Sequence, residues 1–210
     1  LSQLFSPNRN HKGLKIKMEV NSPYELDRFR TFFTKEPETI SWIENLVKSK
    51  DTFYDIGANV GVFSLFTGIF HKKSVQVFAF EPCYHNFNTL CRNVILNGLS
   101  GAVTPFCLAA GGQTGFSVLN VISNISGSSG HQVANSKSQL GKKFKPEFQQ
   151  GIFSVTLDDI IKKFGSSELD TGSSKVQIAL LTSRIESLNE HFKTHAHDLA
   201  GKRGLKVLVE

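Results

Sequence analysis

Asp55-Ile56-Gly57-Ala58-Asn59-Val60-Gly61 sets two glycines directly after an apolar run, and Glu81-Pro82 closes the next such run. A strand that ends in a glycine-containing turn and feeds a helix brings backbone N–H groups close to a ligand. Gly57 removes the Cβ that would block approach, and Gly61 lets the helix start pack near the strand. Asp55 stands at the carboxyl end of the first run, where open parallel sheets bind ligands. Glu81 stands at the end of the second, where a carboxylate can accept both hydroxyls of a ribose. The third glycine of Gly-x-Gly-x-x-Gly is missing, which counts against a nicotinamide or flavin. The pattern suits S-adenosylmethionine, which has no pyrophosphate to cradle. The bland alternative is a tight structural turn beside a surface glutamate.

A second set of residues lies far along the chain. Asp170-Thr171-Gly172-Ser173 opens an amphipathic helix, and Thr171 or Ser173 can cap it with a side-chain oxygen. Ile178, Leu181, Ile185, Leu188 and Phe192 recur at helical spacing on one stripe, which reads as a core-facing surface. Short polar groups at a helix start can donate to phosphates and 2′-hydroxyls. His191, His195 and His197 invite a zinc reading because an i, i+4 pair shares a face. No cysteine lies near them, so no metal site is expected there.

The elements that must position the first set follow from periodicity and breakers. Residues 1–35 read as irregular. A short helical pattern then follows Glu36-Pro37, with Ile40, Ile43 and Val47 on its apolar side. Thr52–Ile56, Val75–Phe80 and Ala102–Leu108 read as buried strands. Val60–Phe70 and Tyr84–Asn97 read as the helices between them, the second closed by Gly98. This alternation predicts an α/β fold with a parallel sheet covered by helices. Gly115–Val121 and Phe153–Leu157 are further strand candidates. Residues 122–143, rich in Ser, Gly, Asn and Lys, read as a long surface loop, and Asp158–Phe164 as a helix. Gly165-Ser166-Ser167 then breaks the pattern, and helix dominates beyond it.

Composition narrows the function classes. The chain has 210 residues, 40% of them hydrophobic and 20% charged, which suits a globular protein. No apolar run reaches the roughly 18 residues of a membrane span. The net charge of +6 suggests nucleic acid, but residues 167–210 carry six basic and six acidic residues, so the excess lies in residues 1–166. RNA binding by the C-terminal part must therefore rest on particular residues rather than bulk charge. Cys83, Cys91 and Cys107 show no metal-ligand spacing and read as free thiols in a reducing cytosol. The absence of a starting Met suggests a fragment.

Residues 25–164 resemble the FkbM family of S-adenosylmethionine-dependent methyltransferases. The matching stretches are 32–39 (Phe-Phe-Thr-Lys-Glu-Pro-Glu-Thr), 53–61 around the glycine loop, 79–82 (Ala-Phe-Glu-Pro) and 154–160 (Ser-Val-Thr-Leu-Asp-Asp-Ile). The resemblance implies a Rossmann-like sheet and methyl transfer to a small hydroxylated or sugar substrate. It places Asp55, Gly57, Asn59 and Gly61 around the methionine end of the cofactor, Glu81 on the ribose, and Ala109–Ala110 near the adenine. An acidic Asp-Val-Glu-Gly-like strand that follows in the family is absent here. The sheet is then incomplete, Phe53–Ile56 becomes an unpaired edge, and methyl transfer is expected to be weak or lost.

Residues 162–210 resemble small-subunit ribosomal protein S-fifteen, most closely over 176–182 and 190–195. That family is a small helical bundle that binds a three-way junction in small-subunit ribosomal RNA. The resemblance implies RNA contacts from Thr171, Gly172, Gln177, Arg184, His191 and Asp198. Gly201 stands where the family usually has serine. The expected organisation is a truncated methyltransferase domain over 1–164 followed by an all-α ribosomal-protein segment over 165–210. Such a join predicts a chimera, placed in the cytoplasm by its ribosomal part, with no membrane partner.

Overall fold

The computed structural model describes residues 7–134 and 144–164. The stretch read from the sequence as irregular carries regular structure. β1 (Asn8–His11) and β2 (Leu14–Lys17) form an antiparallel hairpin. α1 (Pro23–Thr31) follows, capped by Ser22, whose Oγ accepts the Glu25 N–H at 3.0 Å. The Glu25 carboxylate reaches back to the Asn21 N–H at 2.5 Å, so one donor of the first turn and one just before the cap are satisfied. This helix has no apolar stripe in the sequence because its one buried residue is polar, Glu25. Caps and hydrogen bonds define it, not an apolar stripe.

α2 (Pro37–Leu46) buries Ile40 and Ile43, as the spacing predicts. β3 (Thr52–Ile56), α3 (Val62–Phe70), β4 (Gln76–Phe80), α4 (Tyr84–Leu96) and β5 (Val103–Phe106) then alternate as expected. The three strands form a parallel sheet in the order β3-β4-β5. α4 ends at Gly98 (φ +63°). Its last carbonyls are closed by the Gly98 N–H to Ile95 and the Leu99 N–H to Val94.

The sheet has two apolar faces because neither is left to water. Phe53, Val77, Ala79 and Val103 join α2, α3 and α4 in the main core with Ile43, Leu65, Phe66 and Leu90. Tyr54, Phe80, Ile56, Phe78 and Phe106 face the other way, onto α5 (Leu157–Phe164). There the Phe164 ring sits 4.4 Å from Phe78 and 5.3 Å from Phe106, centroid to centroid. Thr156 caps α5 by accepting the Asp159 N–H at 3.1 Å. Two acidic residues in its first turn and two lysines in its last complement the helix dipole.

A second sheet grows from the end of the first. β6 (Ala109–Ala110) runs parallel to β9 (Phe148–Val155), which pairs antiparallel with β7 (Gly115–Val121), and β7 with β8 (Gln132–Val133). The expected strand at 153–157 thus starts earlier and belongs to this sheet. Among the described residues β3 pairs with β4 alone, as expected of an edge strand. Its Phe53, Tyr54 and Asp55 are nevertheless only 6%, 5% and 7% exposed, so the edge does not offer apolar side chains to solvent.

Candidate functional site

The loop between β3 and α3 is held by its own backbone. The N–H groups of Gly57 and Ala58 both donate to the Phe80 carbonyl, at 2.8 and 3.0 Å, and that of Gly61 to Ala58 at 2.8 Å. The Asn59 N–H donates to Glu81 Oε2 at 2.8 Å, and the Val60 N–H to Asn59 Oδ1 at 3.0 Å. Every N–H from 57 to 61 is therefore spent inside the protein. The loop is no anion nest, and the expectation of ligand-facing amides is corrected accordingly.

Two glycines make that wiring possible in different ways. Gly57 has φ +76°, and an added Cβ would meet nothing within 4 Å. Its requirement is conformational, and the space above it is open. Gly61 has φ +93°, and a Cβ there would lie 2.5 Å from Leu90 Cδ1. It is the close approach of α3 to α4 that excludes a side chain, as the sequence suggested.

Asp55 and Glu81 end neighbouring parallel strands but do different work. Gly61 occupies the N-cap of α3 and has no side chain to cap with. Asp55 replaces it: its Oδ2 accepts the Ser64 N–H at 3.0 Å and the Ser64 hydroxyl at 2.6 Å. Burial pushes the Asp55 carboxyl up to about 6, against the pull of those two bonds. Glu81 accepts the Cys83 N–H on Oε1 at 2.8 Å and the Asn59 N–H on Oε2. Burial pushes it up to about 7, while those amides, Asn86 and the Arg28 guanidinium pull it down. A carboxylate has about four lone-pair sites, so with two amides and the Asn86 side chain on it Glu81 keeps room for about one more donor.

Asn59, in the left-handed region at φ +52°, bridges two segments with its amide, whose Oδ1 stays on the loop. Its Nδ2 donates to the Ser128 carbonyl at 2.7 Å, and Asn86 Nδ2 donates to the same oxygen at 3.1 Å. The adjacent carbonyls are also taken: Ser126 O by the Ser22 hydroxyl at 2.5 Å, Gly127 O by Arg28 Nε at 2.8 Å. Gly127 N–H donates to Asn86 Oδ1 at 2.8 Å. This tripeptide, part of the expected surface loop, is a buried strap joining α1, the glycine loop and α4. Ser64, Asn86, Arg28 and Ser128 were not legible as site residues. Only Asn86 carries a signal, an amide in the first turn of the helix after Glu81-Pro82.

Asp55, Gly57, Asn59, Gly61 and Glu81 are thus brought together at the carboxyl end of the sheet. Ala109, which the resemblance put near the adenine, packs with the buried Cys83, the residue two beyond Glu81. Burial pushes the Cys83 thiol up to about 12, so it is no nucleophile. Among the described residues the cysteines are free, no group of side chains forms a metal site, and no helix is long and apolar enough to cross a membrane. Thr171, Gly172, Gln177, Arg184, His191 and Asp198 lie outside the described residues.

The family profile described as Methyltransferase FkbM domain matches residues 55–171, more than half of the chain. The chain belongs to this family. The S-adenosylmethionine dependence of FkbM methyltransferases agrees with the cofactor expected from the loop. A second profile, Ribosomal protein S15, matches residues 158–210. The small ribosomal subunit protein uS15 of Streptomyces avermitilis is 53% identical over 55 residues, covering 26% of this chain and 58% of that protein. Its counterpart in Bdellovibrio bacteriovorus is 58% identical over 50 residues, covering 24% and 56%. The chain spans somewhat over half the length of these curated relatives. An FkbM-family sequence is therefore continued by a stretch similar to part of a ribosomal protein. Among solved structures, P. horikoshii TYW2 in complex with MeSAdo is 20% identical, covering 48% of this chain and 35% of that one, at TM-score 0.34. M. jannaschii TYW2 in complex with AdoMet is 18% identical, covering 50% and 44%, at TM-score 0.32.

Proposed function

We propose that residues 1–164 form a domain that binds S-adenosylmethionine at the carboxyl end of the parallel sheet and carries weak O-methyl transfer to a hydroxylated small molecule. One observation carries the reading. The loop spends all its N–H groups internally, while the neighbouring Glu81 carboxylate, fixed by two amides, keeps acceptor capacity. Such a site rejects phosphates and takes a ligand that donates hydroxyls.

The residues fit the cofactor. Glu81 would accept a ribose hydroxyl, and the open space above Gly57 would admit the methionine end. Asp55 and Asn59 act behind the loop, one capping α3 and the other gripping the strap, and Gly61 sets the helix approach. When bound, S-adenosylmethionine supplies an electrophilic methyl group on a sulfonium. Ionised Glu81 strengthens the grip, because a carboxylate is a better acceptor than a carboxylic acid. Weak turnover is the expectation because the acidic segment of the family is missing from the sequence. Incubation with labelled S-adenosylmethionine and a sugar panel tests it. Cofactor binding with little or no turnover supports the reading, and robust turnover contradicts its second half.

A second reading concerns residues 165–210 and rests on their similarity to the uS15 proteins. By that similarity Thr171, Gly172, Gln177, Arg184, His191 and Asp198 would contact small-subunit ribosomal RNA. The overlap of the two profile matches at 158–171 supports a join near Phe164. Binding to the ribosomal three-way junction should weaken with salt and with Arg184→Ala. Affinity indifferent to both would dismiss the reading.

A further inference from the structure

Two turns meet at the amino end of the parallel sheet. One, residues 47–51, leads from α2 into β3, and the other, residues 71–75, leads from α3 into β4. The strands they enter are neighbours, with Thr52 opposite Gln76. The Lys50 N–H donates to the Ser74 carbonyl at 2.6 Å and ties the turns together. Each turn is also closed on itself. The Lys48 N–H donates to Asp51 Oδ2 at 3.0 Å. The N–H groups of Lys72 and Lys73 donate to the carbonyls of Ile69 and Gly68, at 3.0 and 2.9 Å. Lys48, Lys50, Lys72 and Lys73 all stand exposed on this fixed backbone. Among the described residues no carboxylate forms an ion pair with any of the four.

Their conformation is as telling as their charge. Of the six non-glycine residues with positive φ among the described ones, four are lysines, and three of those are here: Lys50 at +72°, Lys72 at +51° and Lys73 at +64°. The left-handed region strains any residue that carries a Cβ. The chain uses glycine for the same task at Gly98 (φ +63°), where α4 ends. The α3 dipole favours a cation past its end, but a cation in an unstrained position would serve it equally. Four rigidly presented ammonium groups at one end of the fold suit a row of phosphates. A lipid surface would also need apolar side chains to bury, and across residues 46–51 and 71–75 Leu46 is the one large exposed apolar residue.

We propose that the amino end of the sheet docks the phosphate backbone of RNA through Lys48, Lys50, Lys72 and Lys73. RNA rather than DNA rests on the RNA reading of residues 165–210; the charge and the strain do not. The probe is labelled poly(U), which contains no three-way junction, titrated with the full chain by fluorescence anisotropy across a salt series. The wild type should bind, more weakly as salt rises. Lys50→Gly, Lys72→Gly and Lys73→Gly together should lower affinity on the order of tenfold and the log–log salt slope by about 2, at about 0.7 per phosphate. Circular dichroism should show that variant folded, since glycine suits all three positions. Lys50→Gln, Lys72→Gln and Lys73→Gln, which keep length and strain, should give the same loss. Arginine at the three positions, which keeps the charge, should not. S-adenosylhomocysteine affinity should stay unchanged throughout, because the five residues of β3 hold the two ends of the sheet roughly 15 Å apart. A wild type silent with poly(U) overturns the assignment, and one that binds phosphatidylserine vesicles instead makes this face a membrane contact. Unchanged affinity and slope in the glycine and glutamine variants overturn it as well. Poly(U) affinity that survives in them but falls with Arg184→Ala puts the RNA on residues 165–210 alone.

Discussion

Asn59 Nδ2 donates to the Ser128 carbonyl at 2.7 Å, across 69 residues of chain, and so fixes the glycine loop from outside. The Asn59 side chain is the rivet between loop and strap. The loop keeps its shape only while residues 126–128 stay seated on α1 and α4.

Gly127 is where that seat is tightest. It has φ +87°, and a Cβ would lie 2.8 Å from the Glu25 backbone N and 3.0 Å from Tyr24. Gly127→Ala should cost about 1–3 kcal/mol in strain and displacement. Thermal unfolding checks it, and a melting temperature equal to wild type would show that the strap is not a fixed part of the fold.

Asn93 closes the loop from the other side. Fully buried, it donates to the Val60 carbonyl at 2.9 Å and accepts the Glu19 N–H at 2.8 Å. Asn93→Ala leaves two buried backbone groups without partners, at about 1–3 kcal/mol each. Chemical denaturation should record a loss in that range, with the denaturant slope unchanged.

Glu81 and Asp55 make pH a probe. Both carboxyls are raised above their ordinary values, to about 7 and about 6. A raised folded-state value means the native state binds protons more tightly than the unfolded chain. Stability from these groups is present in full below the unfolded value and is lost as pH rises through about 6 to 7. Cofactor affinity should run the opposite way, rising through that window as Glu81 ionises. Calorimetric titration of S-adenosylhomocysteine across pH 5 to 9, about the range that brackets both groups, checks the second claim. Glu81→Gln should flatten the profile.

The three parallel strands, their helices and the acidic residues at the strand ends were legible because each rests on local signals. Thr52–Ile56 and Gln76–Phe80 are short apolar runs bounded by glycine or proline, and α2 shows its stripe. What was hidden is nonlocal and polar. α1 buries a glutamate rather than an apolar stripe, so periodicity had nothing to register. Ser126-Gly127-Ser128 looks like linker, and only its partners Ser22, Arg28, Asn59 and Asn86, scattered over the chain, make it structure. The motif told which residues stand at the site but not how they are wired. Asp55 caps a helix and Asn59 grips a strap, roles that depend on residues no spacing rule connects.

Phe164 tests whether α5 belongs to the sheet despite lying near the join. Its ring contacts Phe78, Phe80 and Phe106. Phe164→Ala should destabilise the chain by about 2–4 kcal/mol, less than a fully enclosed phenylalanine would. Loss below about 0.5 kcal/mol, the level of an ordinary surface change, would show that α5 does not seal that face.

The most direct test is calorimetric titration of the full chain with S-adenosylhomocysteine, in wild type and Glu81→Ala. The account predicts saturable one-site binding in the wild type and none in the variant, with circular dichroism showing both folded. No binding in the wild type, or equal binding in both, would contradict a cofactor site organised around Glu81.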